Sequence, residues 1–407
     1  MDRLPRLDFV IKVASRCNLN CSYCYVYNKG DNTWRDRPAI ISDAVFRAAV
    51  ERIRAHCLRS GQEEVGITFH GGEPTLVGPE RFSGFCAGAE AALEGIAKTR
   101  FSIQTNGTMI NERWVDVFRR HDVCVGVSVD GTKEEHDLYR VDRLGRGSYD
   151  SVARGLKMLS DGGLAPQALS VIHFGADGLK THKHLLQLGV RRVGYLLPDF
   201  THDTIGPVRE RHGPTPCADF LLPILEDWWA NGQEEDVEII LFMDMARFIL
   251  GGGGVTDELV GNRPFNFVFV ESDGAIEGLD VLRVCKEGMA KTGLNVINDD
   301  FARIAEVSGL HQAAIFDGVP LPGACKDCPE RTTCAGGSLQ HRYSSANGFD
   351  NRTVWCEDML ALFGRMRQLL GVSVRETTLR RQVLAEMRAE TMAGVAPRRG
   401  LVIGEDE

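Results

Sequence analysis

The 407-residue chain has no uninterrupted apolar run near the roughly 20 residues that a membrane-spanning helix needs, which excludes a helical span. The opening residues, MDRLPRLDFVIKVASRC, lack the apolar stretch of a secretory signal and run directly into a strand-like segment, so the expected compartment is the cytosol. Excess positive charge is missing too. A formal net charge of -9 gives no general field for a phosphate backbone, and nucleic acid is not an expected partner. There is no internal repeat, and low complexity is confined to the four glycines at 251–254. With 43% hydrophobic and 25% charged residues, the chain is long enough for a large core and a second module.

What it does have is cysteine, 12 in all. A reducing compartment disfavours disulfides, and the grouping of these residues points to metal. The first group, Cys17, Cys21 and Cys24, lies in RCNLNCSYCY. Three thiolates without a nearby fourth ligand make a poor tetrahedral zinc site. They suit a [4Fe–4S] cube whose fourth iron stays open to chelate an amino-acid ligand through nitrogen and carboxylate. The second group is CKDCPERTTC, giving Cys325, Cys328 and Cys334, with Cys356 22 residues further on. Four thiolates close a site, and a structural zinc ion would use the same ligands. Cys57, Cys86, Cys124 and Cys217 read as small buried apolar side chains, and Cys285 stands alone.

Up to about residue 200, strand-like runs (LDFVIKVA, EVGITFHG, RFSIQTNG, CVGVSVDG, ALSVIHF, RVGYLLPD) alternate with helix-like ones near 42–59, 79–94, 111–121, 148–161 and 180–188. Regular alternation implies βαβ crossovers and a parallel sheet, and six units make a partial (β/α)6 barrel. Ligands in such folds collect at the carboxyl ends of the strands, where CNLNCSYC, HGGEPT, TNGT and SVDGT all lie. The expected organisation is a barrel over 1–205, a helical bridge over 206–263 with helices near 217–231 and 243–250, a loop-rich cysteine domain over 264–372, and a terminal helix near 373–393 with a poorly ordered tail to 407.

At these residues the sequence resembles the radical S-adenosylmethionine (SAM) superfamily, whose hallmark is CxxxCxxC followed by an aromatic residue, here Tyr25. GGEPTL matches the family's GGEP motif, and the resemblance implies that the backbone of Gly71, Gly72 and Glu73 meets the SAM amino group. It also places Tyr23, Tyr25, Gln104, Asn106, Ser128 and Asp130 at the cofactor mouth, and pairs Ser128 with Arg140 on the SAM ribose and carboxylate. The alternatives are a surface ion pair of Arg140 with Asp137 or Asp142, and strand-end backbone capping by Gln104 and Asn106.

The second cysteine group resembles the SPASM module, in which such a trio and a distant cysteine hold an outer auxiliary [4Fe–4S] cluster. A full module has further cysteines for an inner cluster. Here Ser338 and Leu279 stand at two of those positions, so one auxiliary cluster is expected, with Cys285 the only upstream candidate. In sulfatase-maturing relatives an aspartate after the last upstream cysteine removes a proton, and Asp280 takes that place as candidate general base. The alternative is an exposed loop aspartate.

LLPDFTHD, ESDGAIEGLDVLRVC, TGLNV and GGSLQHRYSSANGFDNRTVWC look similar to the FxsB, Grr and Xye groups of peptide maturases. That likeness implies a ribosomally made precursor peptide as partner, hydrogen abstraction at a β-carbon, and a C–C crosslink to an aromatic ring that closes a three-residue cyclophane. The rival readings are sulfatase-type oxidation of Cys or Ser, epimerisation and thioether formation. A flavodoxin- or ferredoxin-type reductant is the other expected partner. Asp199, His202 and Asp203 read as a substrate-facing loop, and His341, Arg342 and Tyr343 as channel lining or packing around the second cluster.

Overall fold

The computed structural model describes residues 4–253, 260–261, 263–307 and 309–392. Gly254 of the glycine run and the tail from 393 onward lie outside the described residues. Six strands follow one another across the sheet, each parallel to the next: β1 (Asp8–Ala14), β2 (Glu64–Gly71), β3 (Lys98–Thr105), β4 (Cys124–Ser128), β5 (Gln167–Val171) and β6 (Arg192–Leu196). Between them run α1 (Asp43–Ser60), α2 (Pro79–Leu93), α3 (Glu112–Arg120), α4 (Lys133–Tyr139), α5 (Tyr149–Asp161) and α6 (Gly178–Gln187). This is the partial barrel expected from the alternation.

Local signals explain the helix ends. Ser42 caps α1 by accepting from Val45 N, and Gly61 closes it in the left-handed conformation at φ 63. Asn111 and Asp177 cap α3 and α6 in the same way. One face of each strand packs under the helices. Phe9, Ile11 and Val13 of β1 and Val65, Ile67 and Phe69 of β2 are buried there, with Phe69 4.5 Å from Phe82 of α2 and Phe46 of α1 stacked 4.2 Å from Phe85. Each such ring removed from water stabilises the layer by roughly 2–3 kcal/mol. The strand period of two then turns the alternate residues toward the barrel interior: Lys12, His70, Gln104 and Ser128.

The sheet continues past these six strands. After α7 (Gly206–His212) and α8 (Pro216–Asn231), a two-residue β7 (Glu238–Ile239) pairs with β6, and α9 (Ile240–Ile249) follows. At the other edge β8 (Phe267–Val270) lies parallel to β1, with β9 (Ala275–Glu277) and β10 (Lys291–Asn295) antiparallel beyond it. Helices at Cys356–Leu370 and Val374–Met392 end the described chain.

Six elements differ from expectation. The loop-rich segment after 264 holds β8 to β10, too short for a clear periodic signal and ordered by pairing with β1. α4 is a seven-residue helix fixed by the capping box Thr132/Glu135. α7 lies in the expected linker, held where Arg209 reaches the Val354 carbonyl and covers the Trp355 ring. The helix beginning at Cys356 falls within the segment expected to be loop-rich, and packs Met359, Leu362, Phe363 and Met366 inward. Cys57, Cys86 and Cys217 are buried as expected, whereas Cys124 is exposed, because the first residue of β4 faces solvent at the sheet's amino end.

Candidate functional site

The loop after β1 carries Cys17, Cys21 and Cys24, all partly buried. Two glycines let the end of β2 lie against it. Gly71 has φ +147, and a Cβ there would sit 2.1 Å from the Ala14 carbonyl. At Gly72 a Cβ would meet the Tyr27 hydroxyl at 1.9 Å and the Arg16 carbonyl at 2.5 Å. Gly72 N donates to Ala14 O (2.8 Å) and Glu73 N to Arg16 O (3.0 Å), so the carbonyl side of this stretch is what remains for a ligand's ammonium group.

The Glu73 side chain turns inward and is fully buried. Its carboxylate accepts from Thr75 N (3.0 Å), Thr75 Oγ1 (2.5 Å), Thr105 Oγ1 (2.6 Å) and Asn106 N (2.7 Å), tying the ends of β2 and β3 together. Asn106 continues this brace. Its Nδ2 donates to Asn18 Oδ1 (2.8 Å) and lies 3.7 Å from Cys17 Sγ, while its Oδ1 accepts from Thr108 N. Gln104 Nε2 donates to Ser128 Oγ (2.9 Å), and Gly126 leaves room for it, since a Cβ there would lie 2.2 Å from Gln104 Oε1.

Asp130 is 1% exposed. Its carboxylate accepts from Arg140 Nε (2.7 Å), Val171 N (3.0 Å) and the Tyr23 hydroxyl, and lies 3.3 Å from His173 Nε2. Burial alone would raise this carboxyl. Arg140 and His173 outweigh it and hold the group well below the usual carboxylate range. Arg140 therefore pairs with Asp130, not with Asp137 or Asp142; Asp142 takes Arg146 instead. Ser128 and Arg140 are thus braced separately, by Gln104 and by Asp130. His173, stacked 4.1 Å from Tyr139, is a site residue that the sequence reading missed. Its signal was a lone polar side chain just past β5, on the carboxyl edge where the other motifs lie.

Burial pushes the Cys17 thiol up to about 12 and the Cys21 thiol to about 11, with the neighbouring cysteines adding repulsion. Three close, buried thiols become thiolates only beside compensating positive charge. Among the described residues, no three Cys, His, Asp or Glu side chains converge tightly enough for a single ion. Three thiolates without a fourth protein ligand suit a [4Fe–4S] cube with one open iron better than a closed tetrahedral zinc site.

Asp280 is 4% exposed, which overturns the exposed-loop alternative. It follows Leu279 at the start of a short 3-10 turn and reaches back under β1 and the first cysteine loop. Its Oδ2 lies 2.7 Å from Lys12 Nζ and accepts from the Tyr25 hydroxyl at 2.7 Å. Burial would raise its pKa, but Lys12, His70 and Arg283 together lower it, so Asp280 is an anion. Lys12 also pairs with Glu271 (2.9 Å), which binds Arg37 (2.8 Å) and Arg283 (2.6 Å). His70, whose pKa burial lowers against the pull of Asp280, completes this group on the interior face.

The four cysteines of the second set line one small pocket with Arg331, Arg352 and Phe363. Cys356 is the first residue of its helix, and left-handed Ala335, Gly336 and Gly337 wrap the chain after Cys334. Burial pushes Cys334 to about 12, and four thiols around one space fit a closed four-ligand cluster. Cys285 lies elsewhere, its Sγ 3.9 Å from Gln340 O. Around it Leu279, Leu282, Ala290, Ala314, Val319 and Leu339 form a small apolar core, and Ser338 is buried. That packing fills the place the resemblance gives to an inner cluster. The Asp199–Asp203 loop is tied down at one side: His202 N donates to Tyr343 O (2.9 Å), Asp203 accepts from Ser345 N (2.9 Å), and Gln340 and His341 approach Asp199. It docks on the segment between Cys334 and Cys356 with His202 and Asp203 left exposed.

The family model described as the radical SAM superfamily matches residues 11–210. The serine-type anaerobic sulfatase-maturating enzyme of Klebsiella aerogenes is 31% identical over 345 residues, 82% of this chain and 80% of that protein. The chain belongs to the radical SAM superfamily, with homology to its anaerobic sulfatase-maturating members. The cysteine-type enzyme of Clostridium novyi is 27% identical, covering 88% of this chain and 95% of that one. The solved structure of native anSMEcpe with bound AdoMet and Kp18Cys peptide shares the fold at TM-score 0.76 and 23% identity, over 90% of this chain and 99% of the other. No described helix is long and apolar enough to cross a membrane.

Proposed function

We propose that the chain is a cytosolic radical SAM enzyme that oxidises a residue within a peptide at its β-carbon. The observation that carries this is Asp280, a buried anion bonded to Tyr25 directly beside Cys24, on the face where the cofactor would lie. Cys17, Cys21 and Cys24 would hold the SAM-binding [4Fe–4S] cluster, and Cys325, Cys328, Cys334 and Cys356 one auxiliary cluster. SAM would rest on the carbonyl side of Gly71, Gly72 and Glu73, with Gln104, Asn106, Ser128, Arg140, Tyr23 and Tyr25 around it and Asp130 fixing Arg140. Bound there, the cofactor supplies a 5′-deoxyadenosyl radical that removes a hydrogen atom. The residues of this chain aim it, exclude water and take the proton: Asp280 would accept the proton as the substrate radical gives up one electron, for which the cluster held by Cys325, Cys328, Cys334 and Cys356 would be the acceptor.

The homology favours sulfatase-maturase-type oxidation of a Cys or Ser side chain to an aldehyde. A second reading, a C–C crosslink in a ribosomally made precursor peptide, is favoured by the apolar core at Leu279 and Leu339 in place of an inner cluster. Incubation with SAM, reductant and each peptide class separates them. An aldehyde reacts with a hydrazide probe; a crosslink loses two hydrogens and does not. Absence of any 5′-deoxyadenosine would refute both.

A further inference from the structure

Arg342 ends the short 3-10 turn Gln340–Arg342 that follows the second cysteine trio, and it is 4% exposed. A guanidinium stays protonated in a protein, so this is a permanent positive charge in the interior. Its Nε donates to Phe349 O (3.0 Å) and its Nη2 to Pro320 O (2.9 Å), bonds that anchor the fork without neutralising it. Among the described residues three other arginines are buried, and each meets a carboxylate: Arg37 with Glu271 at 2.8 Å, Arg140 with Asp130 at 2.7 Å and Arg283 with Glu271 at 2.6 Å. Arg342 has no such ion pair among the described residues. Asp350, the carboxylate on its side of the fold, is exposed and accepts from Gly323 N (2.7 Å). A buried charge left without an opposite one is strongly disfavoured.

What faces it is the second cysteine set. Burial works against the charge of Arg342, and the attractions that partly offset this come, in order, from Cys325, Asp350 and Cys334. A Cβ on Gly336 would stand 3.8 Å from Arg342 Nη1, and Gly336 lines the pocket that the four cysteines share. The guanidinium thus lies behind the wall of that pocket. Arg331 and Arg352, which line it directly, are exposed, and Arg352 is paired with Glu357 (2.9 Å), so water and a carboxylate offset them. Four thiolates on a [4Fe–4S] core leave a net negative charge, and reduction adds one more. A fixed cation close by therefore favours the reduced form.

We propose that Arg342 is the buried counter-charge of the auxiliary cluster and raises its reduction potential, favouring transfer of the one electron that the substrate radical releases. The proton from the same oxidation goes to Asp280, so a buried cation and a buried anion divide its two products. This rests on the assignment of Cys325, Cys328, Cys334 and Cys356 to an auxiliary [4Fe–4S] cluster.

The test is a redox titration of the reconstituted full-length enzyme followed by electron paramagnetic resonance, with iron counted per chain. Arg342→Gln removes the charge, whereas Arg342→Lys keeps it and gives up the forked hydrogen bonds. In Arg342→Gln the reduction equilibrium of the auxiliary cluster is expected to fall about tenfold or more, a negative shift of about 59 mV for one electron, with the first cluster unmoved. Arg342→Lys should shift it far less. Loss of the auxiliary cluster from Arg342→Gln with retention in Arg342→Lys would also support the proposal, since only the charge differs in kind. A shift below about threefold in Arg342→Gln overturns it. Equal shifts in the two variants, or loss of the cluster from both, overturn it as well and leave Arg342 the role of holding Phe349 and Pro320. Wild-type enzyme carrying iron for a single cluster would instead refute the auxiliary-cluster assignment itself.

Discussion

Lys12 Nζ and Asp280 Oδ2 lie 2.7 Å apart, both side chains buried, one on the first strand of the barrel and the other 268 positions later in the cysteine-rich region. Removing one partner of such a pair strands the other without compensation, at about 3–5 kcal/mol. Lys12→Met is therefore expected to destabilise by several kcal/mol in a denaturant titration. Lys12→Met/Asp280→Asn should recover a measurable part, because the double variant leaves one fewer unpaired carboxylate.

Asp280→Asn keeps the side chain's shape and removes its capacity to take a proton. Deoxyadenosine should still form while modified peptide falls by about 100-fold or more. Counting both products in one reaction checks this. Parallel loss of the two would mean that Asp280 acts on the cofactor side instead.

Gly72→Ala places a methyl group against the Arg16 carbonyl, one residue before Cys17. The loop must shift, at a cost of about 1–3 kcal/mol. SAM cleavage should collapse while circular dichroism stays native, and Gly84→Ala, in open space on α2, should change neither.

Iron content separates the cluster counts. Cys328→Ala should lower bound iron by half and leave SAM cleavage intact, whereas Cys21→Ala should lower it by the same amount and abolish cleavage. A loss of one third from either variant would point to a third cluster.

His136 is buried with Nε2 2.9 Å from Ser148 Oγ, and His182 with Nδ1 2.9 Å from the Tyr195 hydroxyl; burial lowers each to about 4. The unfolded chain binds these protons near pH 6.5 and the folded one does not. Stability should therefore fall as pH drops from about 6.5 toward 4, by roughly 2–3 kcal/mol for each group. His182→Asn should flatten that slope in urea titrations across the window.

The barrel was legible because long strands and helices alternate with clear periods, and the first cysteine loop and GGEP because their spacing is distinctive. Side-chain commitments were not. Nothing in the local sequence says that Asp130 takes Arg140, since the pairing is set by where β4 ends and α4 returns. Lys12 is a lone cation in an apolar strand, and its meaning depends on β8 and the turn after it. Those elements are only a few residues long, so tertiary pairing rather than propensity forms them.

β8 runs along β1 with Ile11 opposite Val270, so the strand that leads to Cys17 is hydrogen-bonded directly to the segment that leads to Asp280. Mechanically, the two halves of the chain are stitched by a shared ladder, not hinged at a linker. Heating should melt them in one calorimetric transition, and a fragment ending before β8 would leave the ladder's edge raw and the base behind.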